Sequence, residues 1–393
     1  MMEQNSYKKR ILFVNGHLNV GGVEKSLVDL LRTLDYSMYE VDLLLLESGG
    51  VYLEKLPHEV NVIFHNPTHI YGPAFDIIFG NLLHGRFSDL FYRFILMLAP
   101  YLGDGIYRFL RPLLRIRRQY DFAVAYRVGE PNKIVSLTVN AQKKMCWWHN
   151  GECNYDLQGV RQINRLWKNM DCLVSVSEGC RQMIREKFAF DKEIHVIPNI
   201  IDVIAIVQLA GNVNPYPEDG DVKIVTLGRL CREKHMEDVP LIAKKLLEHG
   251  RDDFKWYIIG DGAKKDEISA RIKEMGLANH IIMLGRKDNP YPYLKYADVM
   301  MHTSYVEAHC LTLLEAMALK TPCVATKTII PQDFTIDGEN CLLSEQDINH
   351  QYECLSRMMY GDIDKKAMTE HAYKMVNDLY SSSVITEKFG ELF

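Results

Sequence analysis

Two glutamates in the second half of the chain have the spacing of a phosphate-binding site. Glu307 and Glu315 are separated by seven residues, in a stretch where the predicted strand Val299 to His302 is followed by a loop and a helix. The pair therefore flanks a helix N-terminus, where the free amides of Leu311 and Thr312 can bind phosphate oxygens. Two such acids can hold sugar hydroxyls on one side of a phosphate and ribose hydroxyls on the other. The alternative is a surface acid and a helix acid favoured by the helix dipole.

Two cations follow an earlier strand of the same half. The predicted strand Ile224 to Leu227 ends in Gly228-Arg229-Leu230, and Lys234 comes five residues after Arg229. Ligands of parallel α/β sheets bind at the carboxyl ends of the strands. An arginine fork and a lysine point charge there suit a diphosphate that departs with its negative charge. Taken alone, this loop is more simply explained as basic and solvated, with Arg232 and Lys234 facing water.

Glycines that follow other predicted strands expose backbone groups at the carboxyl ends of those strands. Gly260-Asp261-Gly262 follows the strand Trp256 to Ile259, and Gly285-Arg286 follows the next strand. In the first half, Gly21-Gly22-Val23-Glu24 opens a helix, where glycines let backbone amides approach an anion. The full GxGxxG spacing is missing, which argues against a dehydrogenase. Glycines are also common turn residues whatever the function.

The composition lowers the expectation of several other functions. The chain of 393 residues has a net charge of −5 and a pI of about 6.3, which offers no overall basic surface for nucleic acid. Its nine cysteines are scattered singly, without zinc spacing or a CxxC pair. We expect reduced cysteines of a cytosolic protein, with no metal and no cofactor. The string Asp362-Ile363-Asp364 is interpreted as helix capping and surface charge.

Short apolar runs alternate with amphipathic stretches, which predicts an α/β fold with two doubly wound sheets. Leu27, Leu30, Leu31 and Leu34 share one helical face. The predicted strands are Ile11 to Val14, Val41 to Leu46, Val62 to Phe64, Phe122 to Tyr126, Met145 to Trp148, Leu173 to Val176, Ile224 to Leu227, Trp256 to Ile259, Ile281 to Leu284, Val299 to His302 and Cys323 to Ala325. The predicted division is a first domain at 1–200, a linker at 201–222, a second domain at 223–375 and a C-terminal helix at 376–393.

The segment 69–118 does not follow this alternation of predicted strands and helices. It has seven arginines and three aspartates but no lysine or glutamate, a net charge of +4, among many aromatic residues and leucines. This composition is typical of amphipathic helices on an anionic membrane surface. The alternative is a helical insertion that packs its apolar face on its own domain. The basic residues are Arg86, Arg93, Arg108, Arg111, Arg115, Arg117 and Arg118.

Apolar runs long enough for export or for a membrane span are missing from the sequence. Ile11 to Val14 is too short for the core of a signal peptide. The run Phe94 to Gly103 is interrupted by Pro100 and falls short of the ~20 residues that span a bilayer. We expect a cytoplasmic location, either free or peripheral on the cytoplasmic face of the membrane.

Together these motifs resemble the retaining GT-B glycosyltransferases of family 4. The matching segments appear in the same order as in the family. Few of them are specific to the family when taken singly, but the ordered set is specific. They are Gly21-Gly22-Val23-Glu24, Trp148-His149-Asn150, Val176-Ser177-Glu178, Ile197-Pro198-Asn199 with Asp202, Gly228-Arg229-Leu230 with Lys234, Gly260-Asp261-Gly262, and Glu307 with Glu315.

The resemblance implies two facing Rossmann-like domains, with the acceptor on the first, the donor mainly on the second, and a C-terminal helix that crosses back to the first. It implies sugar transfer with retention from a nucleotide-diphospho-sugar, expected to be a UDP-sugar, to a hydroxyl of a lipid-linked or surface glycan, without a metal. The implied catalytic residues are His149, Arg229, Lys234 and Glu307. The implied donor-binding residues are Gly21, Gly22, Gly260, Gly262, Arg286, Leu311, Thr312 and Glu315. The acceptor-side candidates are His17, Glu24, Asn150 and Ser177.

One departure separates this chain from the family. Where the family usually has Glu-Gly-Phe-Gly, the chain has Glu307-Ala308-His309-Cys310. The two lost glycines leave open a second hypothesis, a non-catalytic GT-B subunit that binds a partner. A third is a GT-B sugar phosphorylase or nucleotide-sugar epimerase. The retained Arg229, Lys234 and Glu315 favour the active transferase.

Overall fold

The structure is a computed structural model that describes residues 8–65, 74–102, 104–110, 112, 114–117, 119–328 and 333–393. Its strands form two parallel sheets connected by helices. This confirms the predicted α/β class with two doubly wound sheets. The carboxyl ends of the strands in each sheet are the places where such folds bind ligands.

The first sheet contains seven parallel strands. They are Lys9–Asn15 (β1), Tyr39–Leu45 (β2), Asn61–Phe64 (β3), Tyr120–Ala125 (β4), Ala141–Trp148 (β5), Cys172–Ser175 (β6) and Ile194–Val196 (β7). Their order is β3-β2-β1-β4-β5-β6-β7, so the order reverses between β1 and β4. The helices of this half are Gly22–Thr33 (α1), Ala74–Leu83 (α2), Phe87–Leu102 (α3), Glu130–Leu137 (α4), Leu157–Trp167 (α5) and Glu178–Lys187 (α6).

The second sheet contains six parallel strands. They are Val222–Leu227 (β8), Phe254–Ile259 (β9), Ile281–Gly285 (β10), Val299–His302 (β11), Cys323–Thr326 (β12) and Leu342–Ser344 (β13). Their order is β10-β9-β8-β11-β12-β13, so the reversal falls between β8 and β11. The accompanying helices are Val203–Ala210 (α7), Val239–Glu248 (α8), Lys265–Glu274 (α9), Tyr291–Lys295 (α10), Leu311–Ala318 (α11), Ile348–Tyr360 (α12), Lys365–Tyr380 (α13) and Ser382–Gly390 (α14).

All the predicted strands are present, with ends that differ by a few residues. The predicted helical face of α1 is also confirmed, because Leu27, Leu30 and Leu31 are buried. Strands β7 and β13 were not predicted. Each is only three residues long and lies at an edge of its sheet, so neither leaves a run long enough to show a period.

The stretch predicted as a linker contains helix α7. Its Val203, Ile206 and Ala210 are buried in the core of the second sheet, and the carboxylate of Asp202 caps it by accepting a hydrogen bond from the amide of Ala205 at 3.0 Å. The predicted linker at 201–222 therefore includes a helix. The β-branched composition of the helix hid its period.

The C-terminal end of the chain packs on the first sheet. Helix α13 runs to Tyr380, α14 then places Ile385 and Phe389 in the core of the first domain, and Leu392 after the helix joins them there. The ring of Phe389 stacks on that of Phe13 in β1, with centroids 6.4 Å apart. The two ends of the chain thus share one hydrophobic core.

The helical insertion packs through one face and exposes another. Tyr92 and Ile95 of α3 are buried against the first domain, whereas Phe87, Phe91 and Phe94 of the same helix are exposed. The predicted basic residues Arg111 and Arg118, and positions 69–73, lie outside the described residues. None of the described helices combines the length and the apolar composition needed to cross a membrane.

We predict that Phe389→Ala destabilises the first domain by about 3–5 kcal/mol, because it removes a fully buried ring and leaves a cavity. Chemical unfolding followed by tryptophan fluorescence measures the change. Leu379→Ala is the matched control, since this side chain on α13 is 43% exposed, and it should change stability by no more than about 0.5 kcal/mol. Equal effects of the two substitutions would contradict the packing of α14 on the first sheet.

Candidate active site

The carboxyl ends of the two sheets border one cavity of about 1000 Å³. Residues of both domains line it, and most of the predicted site residues are among them: Gly21, Gly22, His149, Asn150, Arg229, Lys234, Gly260, Arg286, Glu307, Leu311, Thr312 and Glu315. Four predicted residues lie outside the lining, namely Gly262, His17, Glu24 and Ser177.

A buried ion pair forms the charged centre of this cavity. Lys234, in the 3-10 segment Arg232–Lys234 after β8, donates a hydrogen bond to Oε1 of Glu307, which lies in the loop after β11. Burial acts to raise the pKa of Glu307, but the Lys234 ammonium and the His302 imidazole hold that pKa well below its usual range. Burial acts to lower the pKa of Lys234, yet the pairing with Glu307 raises it. Both groups are therefore charged at neutral pH.

Glu315 lies in helix α11 and joins the two domains. Its Oε1 accepts a hydrogen bond from the hydroxyl of Tyr291 at 3.1 Å and lies 3.4 Å from Nζ of Lys25 in α1. The same ammonium is 2.8 Å from Asp29. Burial and the Asp29 carboxylate outweigh Lys25 and Tyr291, so the pKa of Glu315 is raised. A polar network thus crosses the cavity beside the predicted ribose-binding acid.

Helix α11 presents its N-terminus to the cavity. Leu311 and Thr312 are its first two residues and line the cavity, and their amides have no partner among the described residues. The preceding residue, Cys310, has a φ of +52° and makes no side-chain cap. Two backbone donors of this helix are therefore available to an anion.

The glycines after β8 and β9 pack closely against one another. A Cβ on Gly260, which has a φ of +151°, would lie 1.8 Å from the carbonyl oxygen of Gly228. Gly262 has a similar role away from the cavity, because a Cβ there would lie 2.5 Å from the carbonyl oxygen of Leu230. The prediction that Gly262 contacts the donor therefore receives no support from its position. The need for a glycine comes instead from the packing of two loops.

His149 and His309 are two histidines that line the cavity and have neutral imidazole rings. His149 follows β5, and its Nε2 is buried without a partner among the described residues. Burial, with the charges of Arg127 and His309, lowers the pKa of His149 to about 3. Burial also lowers the pKa of His309 to about 3, and neither of its ring nitrogens has a partner among the described residues. Both rings are uncharged at neutral pH and can hydrogen-bond a neutral ligand group.

The acceptor-side candidates are positioned in different ways. Glu24 is buried, and its Oε1 lies 3.5 Å from Nδ1 of His17 and 3.3 Å from a guanidinium nitrogen of Arg127. The Ser177 hydroxyl caps α6 by accepting a hydrogen bond from the amide of Cys180 at 3.2 Å. Asn150 is the one of the four candidates that lines the cavity. The position of Ser177 indicates a helix cap rather than a ligand contact.

The two domains touch next to the ion pair. A Cβ on Gly151 would lie 2.5 Å from the carbonyl carbon of Glu307 and 2.9 Å from the amide nitrogen of Ala308. On the far side of the cavity, a Cβ on Gly22 would lie 3.3 Å from the side chain of Leu311. Two first-domain glycines therefore permit the close approach of the loop and helix that hold the predicted donor site.

One cluster of the described residues has the donor atoms of a metal site. These atoms belong to His302, Glu307 and Cys310, and all lie within 4.8 Å of one another. The Lys234 ammonium is hydrogen-bonded to the same carboxylate oxygen that a metal would use. A cation at this place would have to displace Lys234, so the side chains present fit a lysine-neutralised carboxylate better than a metal ion.

Three residues that line the cavity or contact the predicted site residues were not predicted from the sequence, namely Arg127, Lys25 and His302. Arg127 follows β4 just as Arg229 follows β8, and that position after a strand could have revealed it. Lys25 adjoins the motif that ends at Glu24, but its partner on the other domain could not be read from the sequence. His302 was predicted only as the end of a strand, and a strand pattern does not show which side chain a histidine will meet.

The sequence of the second half matches a known family. Residues 214–375 match the family model described as Glycosyl transferases group 1. The chain is 23% identical over 245 residues to the lipopolysaccharide core biosynthesis glycosyltransferase LpsE of Rhizobium meliloti, which covers 60% of this chain and 70% of that protein. It is 27% identical over 216 residues to an N-acetylgalactosaminyltransferase of Campylobacter jejuni whose named acceptor is a diphospho-undecaprenol-linked saccharide, covering 53% of this chain and 56% of that protein.

Solved structures match the fold over nearly the whole chain. The crystal structure of Anabaena HepE in complex with UDP and glucose has a TM-score of 0.72 at 15% identity, covering 97% of this chain and 98% of that one. A glycosyltransferase from Rickettsia africae has a TM-score of 0.71 at 19% identity, covering 98% and 97%. At these identities the likeness concerns the fold, and it confirms the predicted arrangement of two Rossmann-like domains.

We predict that Gly151→Ala weakens the contact between the two domains, because the added methyl group would overlap the Glu307–Ala308 peptide. Overpacking of this kind costs about 1–3 kcal/mol, which shifts the balance between closed and open forms about 5- to 150-fold. Small-angle X-ray scattering should then give a larger radius of gyration. Gly105→Ala is the control, because a Cβ there meets no atom within 4 Å. Superimposable scattering curves for Gly151→Ala and wild type would refute this contact.

Proposed function

We propose that the protein is a retaining glycosyltransferase that uses a nucleotide-diphospho-sugar, and the proposal is supported by the match of residues 214–375 to the glycosyl transferases group 1 model and by the GT-B fold of the chain. The observation that carries this proposal is the convergence of Arg229, the Lys234–Glu307 pair and the free N-terminus of α11 on one cavity. These groups match the charge of a departing diphosphate. Glu307 would hold hydroxyls of the donor sugar, and Glu315 those of the ribose.

The names of similar proteins support a UDP-sugar donor and a membrane-linked acceptor. Anabaena HepE was crystallised with UDP and glucose, and an Escherichia coli relative, 26% identical over 177 residues, is named as a transferase from UDP-Gal to a diphosphoundecaprenol-linked sugar. The acceptor we propose is accordingly a hydroxyl of a lipid-linked or surface glycan. It would enter from the first domain, past Asn150.

We propose that the transfer is a front-face displacement. The bond between the anomeric carbon and the diphosphate oxygen breaks while the acceptor oxygen bonds to that carbon on the same face. The acceptor proton passes to the departing phosphate, so the products are a glycoside of retained configuration and a nucleoside diphosphate. Lys234, Arg229 and the α11 amides would stabilise the leaving group without a metal. Neutral His149 would hydrogen-bond near the reacting carbon without adding charge.

A non-catalytic role as a GT-B partner subunit is the second candidate, and its support is the altered loop after Glu307. The ion pair of that loop with Lys234 is nevertheless present. Release of nucleoside diphosphate from a nucleotide-sugar by the purified chain alone distinguishes an enzyme from such a subunit. Release that depends on inorganic phosphate would identify a phosphorylase, and isomerised donor an epimerase.

We further propose that α3 attaches the protein to the cytoplasmic face of an anionic membrane. Phe87, Phe91 and Phe94 recur at helical spacing on an exposed face, and Tyr101, the penultimate residue of this helix, is 86% exposed. Arg108 lies nearby in the chain and is also exposed. Arg117 is engaged elsewhere, because it forms ion pairs with Glu40 and Asp42. The aromatic face thus carries this proposal more than the arginines do.

We predict that Lys234→Ala and Glu307→Gln each lower sugar transfer by at least ~100-fold, the scale of removing one electrostatic contact to the transition state. A panel of nucleotide-sugars identifies the donor by thermal shift, since a ligand at 100 times its Kd stabilises by about 2.7 kcal/mol. Transfer is then measured with that donor and a glycolipid extract. Lys244→Ala and Glu345→Gln, both on exposed side chains, are the charge-matched controls. Near-wild-type turnover in both site variants would refute the assignment.

We predict that wild-type protein floats with vesicles containing phosphatidylglycerol, and that replacing Phe87, Phe91 and Phe94 together by serine abolishes flotation. Each buried phenylalanine contributes about 1.5–3 kcal/mol, so the partition coefficient should fall more than ~100-fold. Added salt should weaken binding through the arginine contribution. Replacement of Ile204 and Val213, exposed apolar residues outside the insertion, by serine is the control. If the wild-type protein does not bind vesicles at low salt, the membrane proposal is refuted, and the alternative of an insertion that packs on its own domain remains.

A further inference from the structure

His302 is a buried histidine at the carboxyl end of β11, the strand that borders the reversal point of the second sheet. It is 3% exposed, and its backbone carbonyl accepts a hydrogen bond from the Thr326 hydroxyl at 2.9 Å. Its side chain points toward Glu307, with Nε2 3.0 Å from the carboxylate Oε1. Burying an imidazole is unfavourable unless its nitrogens are hydrogen-bonded. The contact with Glu307 is therefore the interaction that determines the role of the His302 ring.

The contact fixes which nitrogen carries the proton. Glu307 is ionised through its pair with Lys234, and a carboxylate only accepts hydrogen bonds. Nε2 of His302 must therefore be the donor. The hydroxyl of Ser304 and the thiol of Cys310 lie 3.1 Å from the same nitrogen, and together they restrict rotation of the ring.

Two donors, from Lys234 and His302, thus converge on one oxygen of Glu307. The other oxygen, Oε2, has no partner among the described residues, although Glu307 lines the cavity. A carboxylate held at one oxygen by two donors from different elements cannot rotate freely. Its second oxygen is then presented to the cavity in a fixed direction, ready to accept hydrogen bonds from hydroxyls.

From these contacts we infer that His302 is a positioning residue, which orients the Glu307 carboxylate so that Oε2 meets the hydroxyls of the donor sugar. The inference rests on the proposed function, since it names how the proposed site selects its sugar. It assigns to His302 no contact with the substrate. Lys234 neutralises the charge of Glu307, and His302 fixes the orientation of the Glu307 carboxylate.

Two substitutions of similar size separate positioning from simple packing. In His302→Gln the amide nitrogen can reach the place of Nε2 and still donate to Glu307. In His302→Asn the shorter side chain ends near the place of Nδ1 and leaves Oε1 without that donor. Loss of a hydrogen bond to a charged group corresponds to about a 10- to 100-fold change. The asparagine variant should lose this much in kcat/KM and in affinity for the nucleotide-sugar, whereas the glutamine variant should stay within about threefold.

The affinity for the free nucleoside diphosphate separates this inference from a loss of folding. Glu307 faces the sugar, so both variants should bind the diphosphate as wild type does in calorimetry. His371→Asn, on an exposed position of α13, is the control for the substitution itself. If the two His302 variants behave alike, or if diphosphate and nucleotide-sugar affinities fall together, the positioning role is refuted.

The binding measurements also distinguish a failure of this inference from a failure of the proposed function. Absence of transfer by the wild type, with every donor that it binds, would refute the transferase. The comparison of nucleotide-sugar with free nucleotide would still decide whether His302 orients Glu307.

Discussion

A carboxylate buried between two domains must be neutralised, and in this structure Lys234 does so for Glu307. Leaving either charge alone in such a place would cost several kcal/mol. The pair can form because β8 and β11 are neighbours at the reversal point of the second sheet, so the loops that follow them begin side by side. Further bonds join these loops, from the Thr303 hydroxyl to the Lys234 carbonyl at 2.8 Å and from the Tyr305 amide to the Glu233 carbonyl at 3.0 Å. Strand order thus determines where the charges meet.

The first domain completes this arrangement from the opposite side. Lys25 approaches Glu315, Gly151 packs against the backbone after Glu307, and Asp333 accepts a hydrogen bond from the amide of Glu178 at the start of α6, at 2.7 Å. Each contact pairs a residue of one domain with a loop or a helix end of the other. A cavity with charged and helix-end groups on both walls is one in which a ligand can be enclosed and water excluded, which strengthens every electrostatic contact inside it.

Much of this could be predicted from the sequence, because parallel strands bring their carboxyl ends to a common edge. Once Ile224 to Leu227 and Val299 to His302 were recognised as strands, Lys234 and Glu307 were expected at one edge of the sheet. That the two strands are neighbours came from the structure. The short strands β7 and β13 and the helix α7 could not be found this way, since their residues show no clear period. Contacts made by side-chain direction, such as those of His302, and contacts between domains, such as that of Lys25, depend on packing that no local pattern encodes.

The loop after Glu307 shows why a departure from a family pattern has to be judged by backbone conformation. Cys310 replaces a glycine, yet its φ of +52° lies in the left-handed region that glycine favours. A residue with a Cβ pays about 1–2 kcal/mol for that conformation, so the surrounding contacts must maintain it. They do so through the buried thiol, whose Sγ lies 3.1 Å from Nε2 of His302. Because the backbone path is kept, the amides of α11 remain open toward the cavity, and the lost glycine is no argument against donor binding.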